Sequence, residues 1–212
     1  MDYSKPIVYI NRNDYDYVVS IGNKCASAGI LRNDLHIYGE SFPFDFIPST
    51  PKLVLKYLQD TSDFFPEQNM IRTKDDIWFG HYNVYDKYDE TIQKFKRRFE
   101  RLFEILQNKK RVLFVYTSEA DIYNEMNNRY NDNYNELCNI KDYIETKYEY
   151  TNFTILAIHV NKTYEDTKNI INYTINVPEA YLSDDMSTHT PPICSEYRKT
   201  VEALFRDIFQ HF

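Results

Sequence analysis

The stretch Arg111-Val-Leu-Phe-Val-Tyr-Thr117 decides the fold of this chain. It is a continuous apolar run between two turn-like segments, which is typical of a strand buried on both faces of a parallel sheet. Residues 153–160 repeat the pattern, residues 173–177 form a shorter run of the same kind, and residues 15–21 are rich in Val and Ile. The sequence therefore predicts four buried strands.

Helical patterns lie between these strands. Residues 90–106 carry a clear apolar stripe, and Ser49 or Thr50 followed by Pro51 marks the start of a helix over 51–58. Further helices are predicted over 25–31, over a long polar stretch from Ser118 and Glu119 to about residue 148, and over 196–209. We expect residues 36–51 to form a loop and residues 76–85 to form a strand or hairpin.

Strands and helices alternate, and the helical segments are long enough for crossover connections. The predicted fold is α/β, a three-layer α/β/α arrangement with a mainly parallel sheet, either Rossmann-like or like a small hydrolase. We expect a single domain over residues 1–212 with a loop-rich excursion at about 36–90. Ligands of such sheets bind at the carboxyl ends of the strands. This predicts a rim made of residues 21–25, 117–119 and 159–162 and the loop after Val177, so that Cys25 and His189 become neighbours.

The chain has 212 residues and a formal net charge of −7. This charge argues against wholesale binding to nucleic acid or to an anionic membrane surface. The one basic run, Lys-Phe-Lys-Arg-Arg at 94–98, lies within a helical pattern, and we expect it to be a solvated helix face.

The cysteines indicate a reducing compartment. The chain has three cysteines, Cys25, Cys138 and Cys194. An odd number of widely spaced cysteines does not indicate a disulfide framework. The sequence has no apolar signal segment and no run of membrane-spanning length. We expect a cytoplasmic protein, in the host cytoplasm if it is viral, whose thiols stay free.

Cys25 is the first candidate for chemistry, and two interpretations of it are open. At the start of a helix its thiolate would be stabilised by unpaired backbone amides and by the helix dipole. Its own N–H together with the Asn23 side chain could then form an oxyanion hole. The alternative is a small apolar residue that packs between strand and helix.

A cysteine nucleophile needs a base, for which the sequence offers His81, beside a glycine among aromatics, and His189, in a polar loop before the last helix. His159 ends an apolar strand and is expected to be structural. Asp45 lies among apolar residues, so its carboxylate needs either an imidazole to orient or backbone amides to cap.

No metal or cofactor is predicted. The sequence contains no Cys-x-x-Cys or His-x-x-x-His pair, and Gly22 and Gly29 are isolated instead of forming a glycine-rich phosphate loop. A sugar- or nucleotide-modifying enzyme on a Rossmann-like sheet is therefore the least favoured function.

Four ordered blocks resemble a known family. Ser20-Ile-Gly-Asn-Lys-Cys25, Pro43-Phe-Asp-Phe46, Gly80-His-Tyr82 and Leu113-Phe-Val-Tyr-Thr117 are similar to the blocks of an uncharacterised family of papain-like cysteine peptidases found in bacteria and large DNA viruses. The resemblance covers most of the chain and is specific in the first two blocks.

The resemblance implies roles for individual residues. It implies that Cys25 is the nucleophile and that Asp45 and His81 take the family's aspartate and histidine positions. The chain departs from the family at Tyr82, where an acidic residue is usual, at Phe46 in place of Trp and at Tyr116 in place of Arg. Of the family's last block, only His189 is left.

Two functions of different class follow from these observations. The first is a cysteine-nucleophile hydrolase or acyl transferase that acts on a peptide or other carbonyl substrate, with His81 or His189 as base. The alternative is a non-catalytic α/β interaction module, encoded by a virus or another pathogen. It is suggested by the 20 Tyr residues, which suit interfaces, and it predicts an exposed Tyr/Phe patch.

Overall fold

One five-stranded sheet organises the chain. The structure is a computed structural model that describes residues 2–3, 5–22, 25–37, 39–118, 133–177 and 192–209; at 2, 25, 26, 34 and 192–196 it describes the backbone alone. The strands are β1 (Asp2–Tyr3), β2 (Tyr17–Ser20), β3 (Val112–Thr117), β4 (Phe153–Val160) and β5 (Ile170–Asn176). Their order across the sheet is β1-β5-β4-β3-β2. Strands β2 to β5 run parallel, whereas the two-residue β1 pairs antiparallel with β5. The predicted mainly parallel α/β fold is confirmed.

The apolar runs of the sequence are the inner strands of this sheet. Phe114 of β3 pairs with Val19 on one side and with Ile155 on the other, and Ile155 in turn pairs with Ile170. Every residue of β3 is buried. A strand that is covered on both faces has no position for a solvated side chain, which is why residues 111–117 show no polar alternation.

Five α-helices accompany the strands among the described residues, besides a short 3-10 helix at Arg12–Asp14. They are α1 (Cys25–Gly29), α2 (Pro51–Gln59), α3 (Tyr88–Gln107), α4 (Tyr134–Tyr148) and α5 (Pro192–Ile208). Helix α1 continues directly into a single π-helical turn, Ile30–Asp34. The predicted start of α2 is confirmed, because the Thr50 side chain caps the helix by accepting a hydrogen bond from the Leu53 amide. Within the described ranges, no helix is long and apolar enough to cross a membrane.

The helices cover both faces of the sheet. Helix α1 lies on the face to which Ser20 points, since the hydroxyls of Ser20 and Ser27 are 2.6 Å apart. Helix α4 lies on the opposite face, where the Tyr134 ring contacts the ring of His159. This arrangement gives the three layers that the alternation of strands and helices predicts.

The hairpin or strand predicted at 76–85 is wrong. This region consists of turns with one isolated antiparallel bridge between Arg72 and Trp78, and residues 60–87 contain no helix or strand. Two of its aromatic residues pack individually onto α3, since the rings of Phe79 and Tyr82 lie 5.1 and 4.8 Å from that of Phe95, whereas Trp78 and Tyr85 are exposed. An apolar pattern can therefore arise from anchored loop residues as well as from a strand.

Two connections differ from the expectation. Residues 161–169 join the parallel neighbours β4 and β5 without a helix. The helix expected from Ser118 onward does not include Ser118, whose amide donates to the Ile158 carbonyl at 2.7 Å. Helix α4 begins at Tyr134, and residues 119–132 lie outside the described residues.

Candidate functional site

The carboxyl ends of β2 and β3 meet where the chain turns into α1. Gly22 is packed so tightly there that a Cβ atom would lie 2.5 Å from Ser27 Oγ and 3.0 Å from Thr117 Oγ1. Real Cβ atoms do not approach other heavy atoms this closely, so the turn needs glycine for space. The predicted meeting of the segments around residues 22 and 117 is therefore confirmed.

Cys25 is the first residue of α1. Only four residues lie between it and Ser20, the last residue of β2, so the helix starts at the carboxyl edge of the sheet. The first amides of a helix have no intrahelical partners and favour negative charge nearby. The predicted helix start at Cys25 is confirmed, and its role as a nucleophile stays a prediction.

Four hydroxyl groups surround this turn, and all four residues are buried: Ser20, Ser27, Ser49 and Thr117. Ser20 and Ser27 bond to each other, and Ser49 Oγ donates to the Gly22 carbonyl at 3.5 Å. Thr117 Oγ1 is the exception, because it is buried and has no hydrogen-bond partner among the residues that the structure describes. A buried hydroxyl that makes no hydrogen bond costs free energy, so its retention needs an explanation.

The Asp45 carboxylate caps a turn. Asp45 is fully buried and accepts a hydrogen bond from the Phe42 amide at 2.9 Å. The Arg32 guanidinium lies 3.7 Å from the same carboxylate oxygen. Of the two arrangements considered for a buried carboxylate here, capping by a backbone amide is the one observed.

His81 lies on an exposed turn of the 60–87 segment. Its ring is 5.5 Å from the ring of Trp78, which itself rests against the Gly80 backbone, because a Cβ at Gly80 would lie 1.8 Å from the indole. His81 as the base for Cys25 stays a prediction.

Asn23 and His189 lie outside the described residues. Their predicted roles in the oxyanion hole and as the base stay predictions. Cys194 lies in α5, where its backbone alone is described.

His159 has the structural environment that the sequence predicts. It is buried, and its Nε2 lies 2.9 Å from Asn172 Oδ1. Because Asn172 uses its NH₂ group to donate to the Glu165 carbonyl, its oxygen faces the imidazole and Nε2 carries the proton. The ring centroids of Tyr116, Tyr134 and Tyr164 lie 4.7–6.2 Å from that of the imidazole, and the two rings of Tyr134 and Tyr164 stack on each other.

A cavity of about 440 Å³ lies elsewhere, in the 60–87 segment. Phe65, Met70, Arg72, Lys74 and Tyr88 are among its lining residues, whereas neither Asp45 nor His81 lines it. Apolar side chains and side chains of both charges line it, and this mixture does not indicate a particular reaction. We therefore place the candidate site at the β2–α1 turn, where parallel strands end, and not at this cavity.

A charged cluster beside this cavity fastens the segment to α2. Lys56 Nζ lies 2.6 Å from the Asp75 carboxylate, which also accepts a hydrogen bond from the Tyr57 hydroxyl. Burial raises the pKa of Tyr57, and the hydrogen bond to Asp75 raises it further. Burial also raises the pKa of Asp75, but hydrogen bonds from Lys56 and Tyr57 outweigh it, so the net shift is downward.

The described residues contain no group of three His, Cys, Asp or Glu side chains that could hold a metal ion. Sequence reasoning placed residue 117 at this edge of the sheet, but it did not single out the hydroxyls of Ser49 and Thr117 as groups of the site. The sequence shows that a threonine ends the central strand. It does not show that the hydroxyl lacks a hydrogen-bond partner among the described residues, because this depends on segments far apart in the chain.

No family model, curated protein or solved structure matches this chain.

Proposed function

We propose that this chain is a cysteine-nucleophile hydrolase in which Cys25 attacks the carbonyl carbon of a peptide or another carbonyl substrate. The observation that carries the proposal is the position of Cys25 as the first residue of the helix that follows β2. Backbone amides at a helix start stabilise a thiolate and can also hold an oxyanion. The Thr117 hydroxyl beside the same turn has no partner among the described residues, and we propose it as a further donor to a bound ligand.

The proposed reaction has two stages. A histidine base takes the thiol proton, the thiolate adds to the carbonyl carbon, and the leaving amine or alcohol departs with that proton. The resulting thioester is attacked by water, whose proton the same base accepts, and the acid product leaves as the thiol re-forms.

His81 and His189 are the candidates for this base, and Asn23 with backbone amides is the candidate oxyanion hole. In this scheme Asp45 acts indirectly, because its carboxylate holds the turn that starts at Phe42. A free thiolate requires a reducing compartment, for which we propose the cytoplasm, of the host if the protein is viral; Cys138 is a free thiol.

Thiol reactivity tests the proposal directly. Iodoacetamide labelling at each cysteine, followed across pH by mass spectrometry, is expected to modify Cys25 at a lower pH than Cys138 and Cys194. A normal free thiol labels with a midpoint of about 8.5. Hydrolysis of p-nitrophenyl acetate is expected to be lost in Cys25→Ala and kept in the matched control Cys138→Ala.

The proposal fails if Cys25 labels only when the protein unfolds, or if Cys25→Ala hydrolyses the ester at the rate of Cys138→Ala. Circular dichroism of both variants separates loss of the nucleophile from loss of the fold.

A non-catalytic interaction module is the second candidate, because the 60–87 segment exposes large apolar side chains. Trp78 is 37% exposed, Met70 53% and Tyr85 56%. Exposed aromatic residues are typical of interface anchors. Normal thiol reactivity at Cys25, together with capture of a partner that Trp78→Ala abolishes, would favour this candidate.

A further inference from the structure

Helix α3 presents a line of cations to the turn at residues 41–46. Lys94, Arg98 and Arg101 are spaced four and three residues apart, which places them on one side of the helix. Arg32 reaches the same turn from the π-helical turn that follows α1. We call Arg32, Lys94, Arg98 and Arg101 the basic cluster.

Contacts to the turn hold the members of the basic cluster together. Arg101 donates to the Ser41 carbonyl at 2.6 Å, and Arg32 donates to the Ser41 hydroxyl at 2.8 Å. Tyr82 donates from its hydroxyl to the Asp45 carbonyl at 3.3 Å, which fastens its ring to the other end of the turn.

Tyr82 orders the two remaining cations. Arg98 donates to the Tyr82 hydroxyl at 2.9 Å, and its guanidinium carbon lies 5.7 Å from the Tyr82 ring and 4.9 Å from the Phe95 ring. Lys94 Nζ lies 5.6 Å from the Tyr82 ring. Arg98 is half-buried, unlike its exposed neighbour Arg97, so the basic run is not uniformly the solvated helix face that its sequence indicates.

The charges of the basic cluster are only partly neutralised. Arg32 pairs with Asp45, and Arg101 pairs with Glu40 at 2.6 Å. Lys94 and Arg98 have no carboxylate partner among the described residues. Two ordered, unneutralised cations therefore face solvent on a chain whose net charge is −7.

We propose that the basic cluster binds an acidic segment of a partner polypeptide through its carboxylates. Guanidinium groups recognise carboxylates with paired, charge-assisted hydrogen bonds, and ring contacts that fix Arg98 in advance lower the entropy lost on binding. A short peptide contacts only the basic cluster. A nucleic acid or a bilayer would also approach the surrounding surface of this negatively charged chain and would be repelled by it. The inference stands whether or not Cys25 is a nucleophile.

Fluorescence anisotropy of a labelled hexaglutamate peptide tests the proposal on the full chain. Wild-type protein is expected to bind the peptide at low salt, with affinity that falls as the salt concentration rises from about 50 to about 200 mM. Arg98→Gln is expected to weaken binding about tenfold, since it removes a charge-assisted contact. Lys94→Gln, an exposed position that does not threaten folding, is expected to weaken it as well.

Arg97→Gln is the matched control, because it removes the same charge from the same helix beside the cluster. Equal weakening by Arg97→Gln and Arg98→Gln, or no binding by wild-type protein at low salt, would overturn the proposal. Tighter binding of oligothymidylate or of phosphatidylserine vesicles than of hexaglutamate would overturn it in favour of a different polyanion. A phosphoserine peptide that outcompetes hexaglutamate would also overturn the assignment to carboxylates.

Discussion

At the scale of single residues, the absence of a side chain at Gly22 allows β2, β3 and α1 to pack closely together. The space above its Cα is filled by Ser27 and Thr117. We expect Gly22→Ala to lower the free energy of unfolding by about 1–3 kcal/mol, because the added methyl must displace these neighbours. Urea unfolding measures the change.

Gly39→Ala is the control for this substitution, since a Cβ at Gly39 would meet no atom of the described residues within 4 Å. It is expected to leave the free energy of unfolding unchanged or to raise it by up to about 1 kcal/mol, because alanine lowers the conformational entropy of the unfolded chain. If both alanine variants behaved alike, the tight packing at Gly22 would be contradicted.

Thr117 lies at the same turn and allows stability and function to be separated. Its hydroxyl makes no hydrogen bond to any residue that the structure describes, so we expect Thr117→Val to leave the free energy of unfolding equal or to raise it by up to about 1 kcal/mol. Ser27→Ala removes the partner of Ser20 and is expected to cost about 1 kcal/mol. Urea unfolding of the two variants makes the comparison.

If the Thr117 hydroxyl serves a substrate, Thr117→Val also lowers ester hydrolysis while the fold stays intact. A Thr117→Val protein as destabilised as Ser27→Ala would mean that the hydroxyl has a structural partner.

At the scale of elements, the Lys56–Asp75–Tyr57 cluster ties the 60–87 segment to α2. Folding lowers the pKa of Asp75, so its stabilising effect is fully present above the unfolded value of about 4 and is lost as pH falls through the folded pKa. Folding raises the pKa of Lys56 through its hydrogen bond to Asp75. The contribution of Lys56 is therefore present below its unfolded value of about 10.4 and is lost as pH rises through the folded pKa.

Asp75→Asn is expected to destabilise the protein at neutral pH and to have progressively less effect as the pH falls below about 4. Urea unfolding at a series of pH values measures this convergence with wild type. Asp76→Asn is the control, since Asp76 pairs with Arg72 at the exposed surface and asparagine tolerates its positive φ of 59°. A destabilisation by Asp75→Asn that is the same at every pH would contradict the assigned role.

At the scale of the whole molecule, one aromatic ring joins the irregular 60–87 segment to the helical layer. Phe64 is fully buried and contacts six other aromatic rings, at centroid distances between 4.8 and 6.4 Å: Phe44, Tyr57, Phe65, Phe79, Phe95 and Phe99. The segment thus gains its order from packing and not from strand or helix hydrogen bonds.

Phe64→Ala is expected to lower the free energy of unfolding by about 3–5 kcal/mol, because it leaves a cavity that fixed neighbours cannot fill. Phe65→Ala, at a half-buried neighbouring position, is expected to cost less than half as much. Denaturant titrations followed by tryptophan fluorescence and by circular dichroism should coincide, since Trp78 lies in the segment and the helices report the rest. Separate transitions would mean that the segment folds independently of the sheet.

The sequence by itself determined the strands and helices whose patterns are local. Residues 153–160 were predicted with the bounds that β4 has, and the helix start at Thr50 and Pro51 follows from capping chemistry within one turn. The position of Cys25 at a helix start was also predictable, because an apolar run, a glycine and a renewed helical pattern follow one another within a dozen residues.

Only the tertiary structure decided which side chains meet across the chain. Three such features are the Thr117 hydroxyl, which has no partner within the described part of the chain, the Asp45–Arg32 pair and the two cations on Tyr82. Each depends on contacts between separate segments of the chain. The same is true of the 76–85 region, whose aromatic spacing suits a strand until Phe64, Phe79 and Phe95 are seen to pack as a cluster. The physical reason is that periodicity records which face of an element is buried, whereas hydrogen bonds and ion pairs record which atoms the fold brings within about 3–4 Å.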